Sequence, residues 1–207
     1  MFYRKLYLFR KNKKSDNRSD KEQIKIKKDQ KKEGMIMKNK LQLCSEEIVV
    51  RKAKRSELDE IMEIYAVARA FMKEHGNPSQ WGNNRPERAV IEKDLEAGHL
   101  YVCTLRDKIG CVMSFAVTEE PTYAVIDGKW LNEKPYGVIH RIASNGTGKG
   151  MAAHCIAWAY EKQPNIRIDT HADNIPMQSL LKKLGFTCCG IIRVADGTKR
   201  LAYQKTL

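Results

Sequence analysis

One stretch constrains this chain more than any other: Asn145-Gly146-Thr147-Gly148-Lys149-Gly150, which joins an apolar strand pattern (Tyr136 to Ala143) to an apolar-faced helical pattern (Met151 to Lys162). Glycines at such a junction let the backbone curl and turn several N–H groups inward at the positive end of a helix, which makes a site for a pyrophosphate. A tight turn is the plainer alternative, but three alternate glycines are more than a turn needs. Two nucleotide-binding motifs are excluded by spacing. A P-loop requires Gly-x-x-x-x-Gly-Lys-Ser/Thr, whereas Gly148-Lys149 is followed by Gly150 and Ala143 stands at the required first position. A dinucleotide fingerprint requires GxGxxG in an early βαβ unit, and this is GxGxG, late in the chain.

The elements around the loop set the fold class. Ile48 to Lys52 is a β-branched run, and Ser56-Glu57-Leu58-Asp59 has the form of a capping box. Leu58, Ile61, Met62, Tyr65, Ala68, Phe71 and Met72 follow at helical spacing up to Gly76-Asn77-Pro78. Pro86 marks a second helix start, with Val90, Ile91 and Leu95 as its buried side. His99 to Leu105 and Ile109 to Thr118 form a hairpin pattern, Tyr136 to Ala143 a fourth strand, Asn165 to Thr170 a fifth, Pro176 to Leu184 a short helix, and Thr187 to Val194 with Leu201 to Gln204 a last hairpin. The order β, α, α, β, β, β, α, β, α, β, β predicts an α/β fold of the mixed-sheet kind, with helices on both faces.

Charge is segregated. Residues 1–40 hold 15 Lys+Arg against 5 Asp+Glu, while residues 41–207 hold 23 against 20, so nearly all of the net +13 lies in a basic arm. From Arg10 to Lys32 the only large apolar residues are Ile24 and Ile26, too few to offset about 1–2 kcal/mol of ordering entropy per residue, so disorder is expected there. In-frame Lys32-Glu33-Gly34 codons can spell a bacterial ribosome-binding sequence. The arm therefore reads as translated leader with the natural start near Met37, and residues 41–207 as a single domain. If the arm is real, a nucleic-acid or ribosome-associated role is the competing reading, although nucleic acid is not the expected partner. No apolar stretch reaches the roughly 18 residues of a membrane span, and Arg4 and Lys5 break the only candidate signal segment. Cys44, Cys103, Cys111, Cys155, Cys188 and Cys189 include no CxxC pair and no zinc spacing, so the chain reads as cytoplasmic, its cysteines reduced, with no metal.

Downstream, Asn174-Ile175-Pro176-Met177-Gln178-Ser179-Leu180-Leu181-Lys182-Lys183-Leu184-Gly185-Phe186 sets an Asn, a short helix and a closing Leu-Gly-Phe at a fixed distance from the glycine loop. With these two motifs in this strand order, the chain from about Ile48 to Leu207 resembles the GNAT superfamily of N-acetyltransferases, in particular its small bacterial members. The family's loop reads Gln/Arg-x-x-Gly-x-Gly/Ala, so Asn145 departs from it. The resemblance implies acetyl-CoA as co-substrate, its pantetheine arm paired with a free strand edge at Arg141, Ile142 and Ala143. Ser144 would begin the loop, and the amides of Asn145, Gly146, Thr147, Gly148, Lys149, Gly150 and Met151 would hold the pyrophosphate. Asn174 would bond the cofactor, and Lys149, Lys182 and Lys183 would add charge.

It also implies transfer of acetyl to a primary amine of a small molecule or peptide in a ternary complex. At pH 7 a Lys amine is roughly 0.04% neutral and an α-amine roughly 14%, so a group must take up a proton. His140, on the fourth strand, is the first candidate base, because imidazole titrates near working pH. His171, beside Asp169 at the end of the fifth strand, is the second. The family's usual acid, a Tyr, is replaced by Leu181, which leaves Tyr136 or Tyr123, an unaided thiolate, or a non-catalytic acyl-CoA binding or sensing module. Trp81, Tyr123 and Trp130 fall where acceptor walls are expected, with core packing as their alternative. A homodimer stays open.

Overall fold

The computed structural model describes residues 48–207, and the strand and helix periods of the sequence settle there into eight strands and four α-helices. In chain order these are β1 (Ile48–Lys52), α1 (Leu58–Glu74), α2 (Arg88–Glu96), β2 (Leu100–Leu105), β3 (Lys108–Val117), β4 (Ile126–Gly128), β5 (Gly137–Ser144), α3 (Met151–Lys162), β6 (Asn165–Thr170), α4 (Ile175–Lys183), β7 (Thr187–Arg193) and β8 (Lys199–Thr206). The basic arm, the start near Met37 and Cys44 lie outside the described residues.

The strands make one mixed sheet in the order β1-β2-β3-β5-β6-β8-β7-β4, in which β5 and β6 alone run parallel. Alternation along β2 and β3 divides their side chains between two cores. Val102 and Val112 join Ile61, Ile64 and Tyr65 of α1 and Ile91 of α2. Cys103, Cys111, Met113 and Phe115 join Met151, Cys155 and Ile156 of α3 and Leu181 of α4. Helices therefore cover both faces, as the apolar periods predict.

Three local expectations change. The capping carboxylate before α1 is Glu57, not Asp59: it accepts from the Lys54 N–H at 2.8 Å and pairs with Arg51, and a short 3-10 turn, Arg55–Glu57, precedes the helix. Val90 is exposed while Ile91 takes the buried side of α2. The short edge strand β4, pairing with β7, adds an element that the periodicity does not show, so the fourth expected strand is β5.

Candidate active site

The site begins as a defect in the sheet. β5 and β6 pair only at Gly137 with Ile166 and Val138 with Arg167, and beyond Val138 the two strands part. On its other side β5 follows β3, but the register shifts between Val112 and Ser114: Ala143 faces Val112, His140 faces Ser114, and Arg141 and Ile142 together face Met113. That is a β-bulge, which bends a strand and re-aims its side chains. Arg141 takes φ +53° within it, a left-handed conformation unusual for a residue with a Cβ. Both helices of one face hold it there. The Tyr65 hydroxyl on α1 donates to the Arg141 carbonyl at 2.9 Å, and Asp94 on α2 accepts two hydrogen bonds from its guanidinium, each 2.8 Å. The free edge of β5 is thus built, not left over.

The glycine loop follows. Gly146 and Gly150 sit at φ +80° and +79°, with open space where a Cβ would stand. Asn145 braces the loop: its amide donates to the Ile109 carbonyl at 3.0 Å and its oxygen accepts from the Thr147 N–H at 3.0 Å. Gly150 then opens α3, whose first-turn N–H groups have no partner within the helix. A parted strand edge, an open glycine loop and a helix N-terminus in succession fit an extended ligand that carries a pyrophosphate. Lys149, Lys182 and Lys183 are exposed, and the last two complement the C-terminal end of α4.

Where β5 and β6 part lies a cleft of about 560 Å³, lined among others by Trp81, Glu120, His140, Asp169 and Arg200. His140 Nε2 lies 3.0 Å from Glu120 Oε2, and its Nδ1 lies 3.7 Å from Asp169 Oδ1. The hydrogen bond with His140, helped by that from Thr122, draws the Glu120 carboxyl down to about 2. An ionised carboxylate only accepts, so Nε2 carries the proton in the neutral ring and Nδ1 keeps the lone pair. Asp169 is fixed by the Tyr123 hydroxyl, which donates to it at 2.8 Å. Burial beside that carboxylate raises the Tyr123 phenol well above its usual range, so it stays a donor.

The other expected residues fall as follows. Trp81 lines the cleft, edge-on to Tyr65. Tyr123 and Trp130 are buried in an apolar cluster with Val138 and Ile192, and border a second hollow of about 590 Å³ with Tyr136 and Arg167. The Tyr136 hydroxyl accepts from the Glu120 N–H at 3.1 Å. His171 is outside the cleft lining, its Nδ1 accepting from the Asp173 N–H in the turn before α4. Asn174 caps α4 through Met177 N–H and donates to Gln80 at 3.0 Å, so its side chain is engaged within the protein. Leu181 is fully buried in the core. Glu120, Asp94, Tyr65 and Arg200 were not expected. Only Glu120 carries a local signal, standing before Pro121-Thr122, where its side chain caps a short 3-10 turn.

Comparison with known proteins agrees with this geometry. The sequence model of the Acetyltransferase (GNAT) family matches residues 58–186. A GNAT-family acetyltransferase from Streptococcus agalactiae 2603 is 33% identical, with a TM-score of 0.71 over 77% of this chain and 95% of its own. A GNAT-family acetyltransferase from Listeria monocytogenes 4b F2365 shares the fold at 22% identity and a TM-score of 0.58, over 77% and 95% of the two chains. The yncA protein of Salmonella typhimurium, solved with its cofactor acetyl-CoA, shares it at 14% identity and a TM-score of 0.50, over 78% and 94%. No curated protein matches. The family model spans more than half of the 207 residues, and the parted strands, glycine loop and helix order are all in place: the chain belongs to the GNAT acetyltransferase family.

Proposed function

We propose that the protein is an N-acetyltransferase that moves an acetyl group from acetyl-CoA to a primary amine by direct attack in a ternary complex, with His140 as the proton acceptor. The observation that carries this reading is the place of His140: one residue before the Arg141 bulge, at the mouth of the parted strands, between two carboxylates. When bound, acetyl-CoA supplies the thioester carbonyl that the amine attacks.

The chain supplies the rest. Glu120 holds the ring in one tautomer and leaves Nδ1 basic. Asp169, 3.7 Å from that nitrogen, offsets the positive charge that the ring gains on taking the amine's proton. Asp169 and Glu120 also favour an amine's approach, since both line the cleft. A backbone N–H of β5 beyond the bulge would face the developing oxyanion. Leu181 offers no proton, and the Tyr123 hydroxyl is committed to Asp169. The sulfur leaves as a thiolate, which a thiol pKa of about 8–9 permits.

Free-thiol release across a panel of amines and peptides tests the activity, and His140→Ala tests the role. Turnover is expected to fall about 10²–10⁴-fold, with the acetyl-CoA-induced thermal shift kept. Unchanged turnover in the variant removes His140 as the base. A shift without thiol release from any amine replaces the enzyme by an acyl-CoA sensor, a reading to which the sealed Leu181 lends some weight.

A further inference from the structure

The cleft is not uniformly acidic. At the end away from Glu120 stands Arg200, on β8, more than nine-tenths buried and yet part of the lining. Its interactions are sparse for a buried guanidinium: Nη1 donates to the Lys199 carbonyl at 3.2 Å, and Nε stands 4.0 Å from Asp169 Oδ2, beyond hydrogen-bond distance. Nη2 has no partner among the described residues. The other two arginines of the lining are committed, Arg85 to Asp196 at 2.6 Å and Arg141 to Asp94. Asp169 pairs with the Arg200 guanidinium only at 4.0 Å and through Nε, and a planar fork of five N–H donors keeps donors that suit a carboxylate in the cleft.

Asp169 sets the spacing. One of its oxygens neighbours His140 Nδ1 and the other neighbours Arg200 Nε, so a ligand that touches both must carry its amine and its anion only a few bonds apart.

Resting on the acetyltransferase reading, we propose that the acceptor is a small amine bearing a carboxylate, of the free amino acid class. Its amine lies at His140 between Glu120 and Asp169, and its carboxylate lies on the Arg200 fork. Arg200 is then the residue that determines specificity, and an internal peptide lysine or a simple alkylamine is a poor substrate.

The test pairs each of the twenty L-amino acids with its carboxamide, measured by free-thiol release with acetyl-CoA and, independently of turnover, by the thermal shift that each compound adds to the acetyl-CoA complex. Losing a hydrogen-bonded charge pair predicts that at least one acid exceeds its carboxamide by about 10–100-fold in kcat/KM and alone adds a shift. In Arg200→Gln that preference collapses to within about threefold, and Arg200→Lys restores part of it. Should the glutamine variant fold poorly, the acid-to-carboxamide ratios of the parent and of Arg200→Lys decide alone, and a parent ratio near one overturns the proposal. Equal use of acids and carboxamides, turnover confined to amines without a carboxylate, or no acid-dependent shift overturns the proposal while leaving the acetyltransferase reading intact. Loss of the acetyl-CoA shift itself overturns that reading instead.

Discussion

Arg141 offers a test in which two nearly identical substitutions should differ in a direction opposite to custom. At φ +53° its backbone lies where an L-residue with a Cβ is disfavoured by about 1–2 kcal/mol, a penalty that glycine escapes. Arg141→Ala and Arg141→Gly both forfeit the two 2.8 Å bonds to Asp94 and leave that half-enclosed carboxylate without its partner. Both variants should therefore be less stable than the parent. They differ in the backbone alone, in strain and in chain entropy. At an ordinary strand position glycine is about 0.5–1 kcal/mol less stable than alanine. Here the order inverts, with Arg141→Gly more stable than Arg141→Ala by about 1 kcal/mol, equivalent to about 2–4 °C in Tm for a domain of this size. Urea denaturation with matched m-values reads the difference, and acetyl-CoA thermal shifts on the same samples report whether the β5 edge survives. An alanine variant equal to or more stable than the glycine variant refutes the left-handed bulge as a feature that Tyr65 and Asp94 hold in place.

Two further outcomes are expected. A Cβ at Gly110 would clash with Met151 Sδ, near the far end of a flexible side chain, so Gly110→Ala should displace that side chain at the start of α3 and cost about 1 kcal/mol, the low end of overpacking, measured by denaturation with acetyl-CoA calorimetry on the same samples. The Glu120 carboxyl is held at about 2 against an ordinary 4.5, so its contribution to stability is complete above the unfolded value and lost as the pH falls toward about 2. The margin of the parent over Glu120→Gln, about 3 kcal/mol before solvent screening and less after it, should then shrink between about pH 5 and pH 2, and a margin independent of pH contradicts the sign.

The elements that were legible in the sequence are those whose physics is local. Glycine at positions 146 and 150 answers a positive φ that no other residue adopts cheaply, and Leu58, Ile61, Tyr65 and Ala68 of α1 keep the helical period that their core demands. β4 was not legible, because Ile126–Gly128 is three residues long and its pairing depends on a partner far along the chain. Gly128 faces Gly190, and a Cβ on either would stand 2.2 Å from a carbonyl oxygen of the other strand. The bulge at Arg141 is hidden for the same reason. Nothing in Ile139-His140-Arg141-Ile142 announces a left-handed residue, since Tyr65 and Asp94, from two different helices, impose it. Tyr123 and Trp130 are ambiguous in the sequence for another reason, since an aromatic side chain serves an acceptor wall or a core equally well; in the fold both are buried in one cluster, with the Trp130 indole N–H donating to the Tyr123 carbonyl at 3.0 Å.

Asn145 shows how a departure from a family pattern can be read physically. A Gln or Arg at that position is long enough to reach out of the loop, whereas the Asn side chain is short and turns back, bridging the Ile109 carbonyl on β3 and the Thr147 N–H. Its backbone N–H is also tied to β3, donating to the Gly110 carbonyl at 3.1 Å. The loop is thereby pinned to the neighbouring strand before any ligand arrives, and the entropy of ordering it is lost on folding and not on binding. The cost is the start of the loop: the N–H groups of Asn145 and Thr147, and that of Gly146, which donates to Ser144 Oγ at 3.3 Å, are withdrawn from the set that could face a phosphate. With the amides from Gly148 onward and the unpaired first turn of α3 still available, the exchange favours a rigid loop with fewer donors over a mobile one with more.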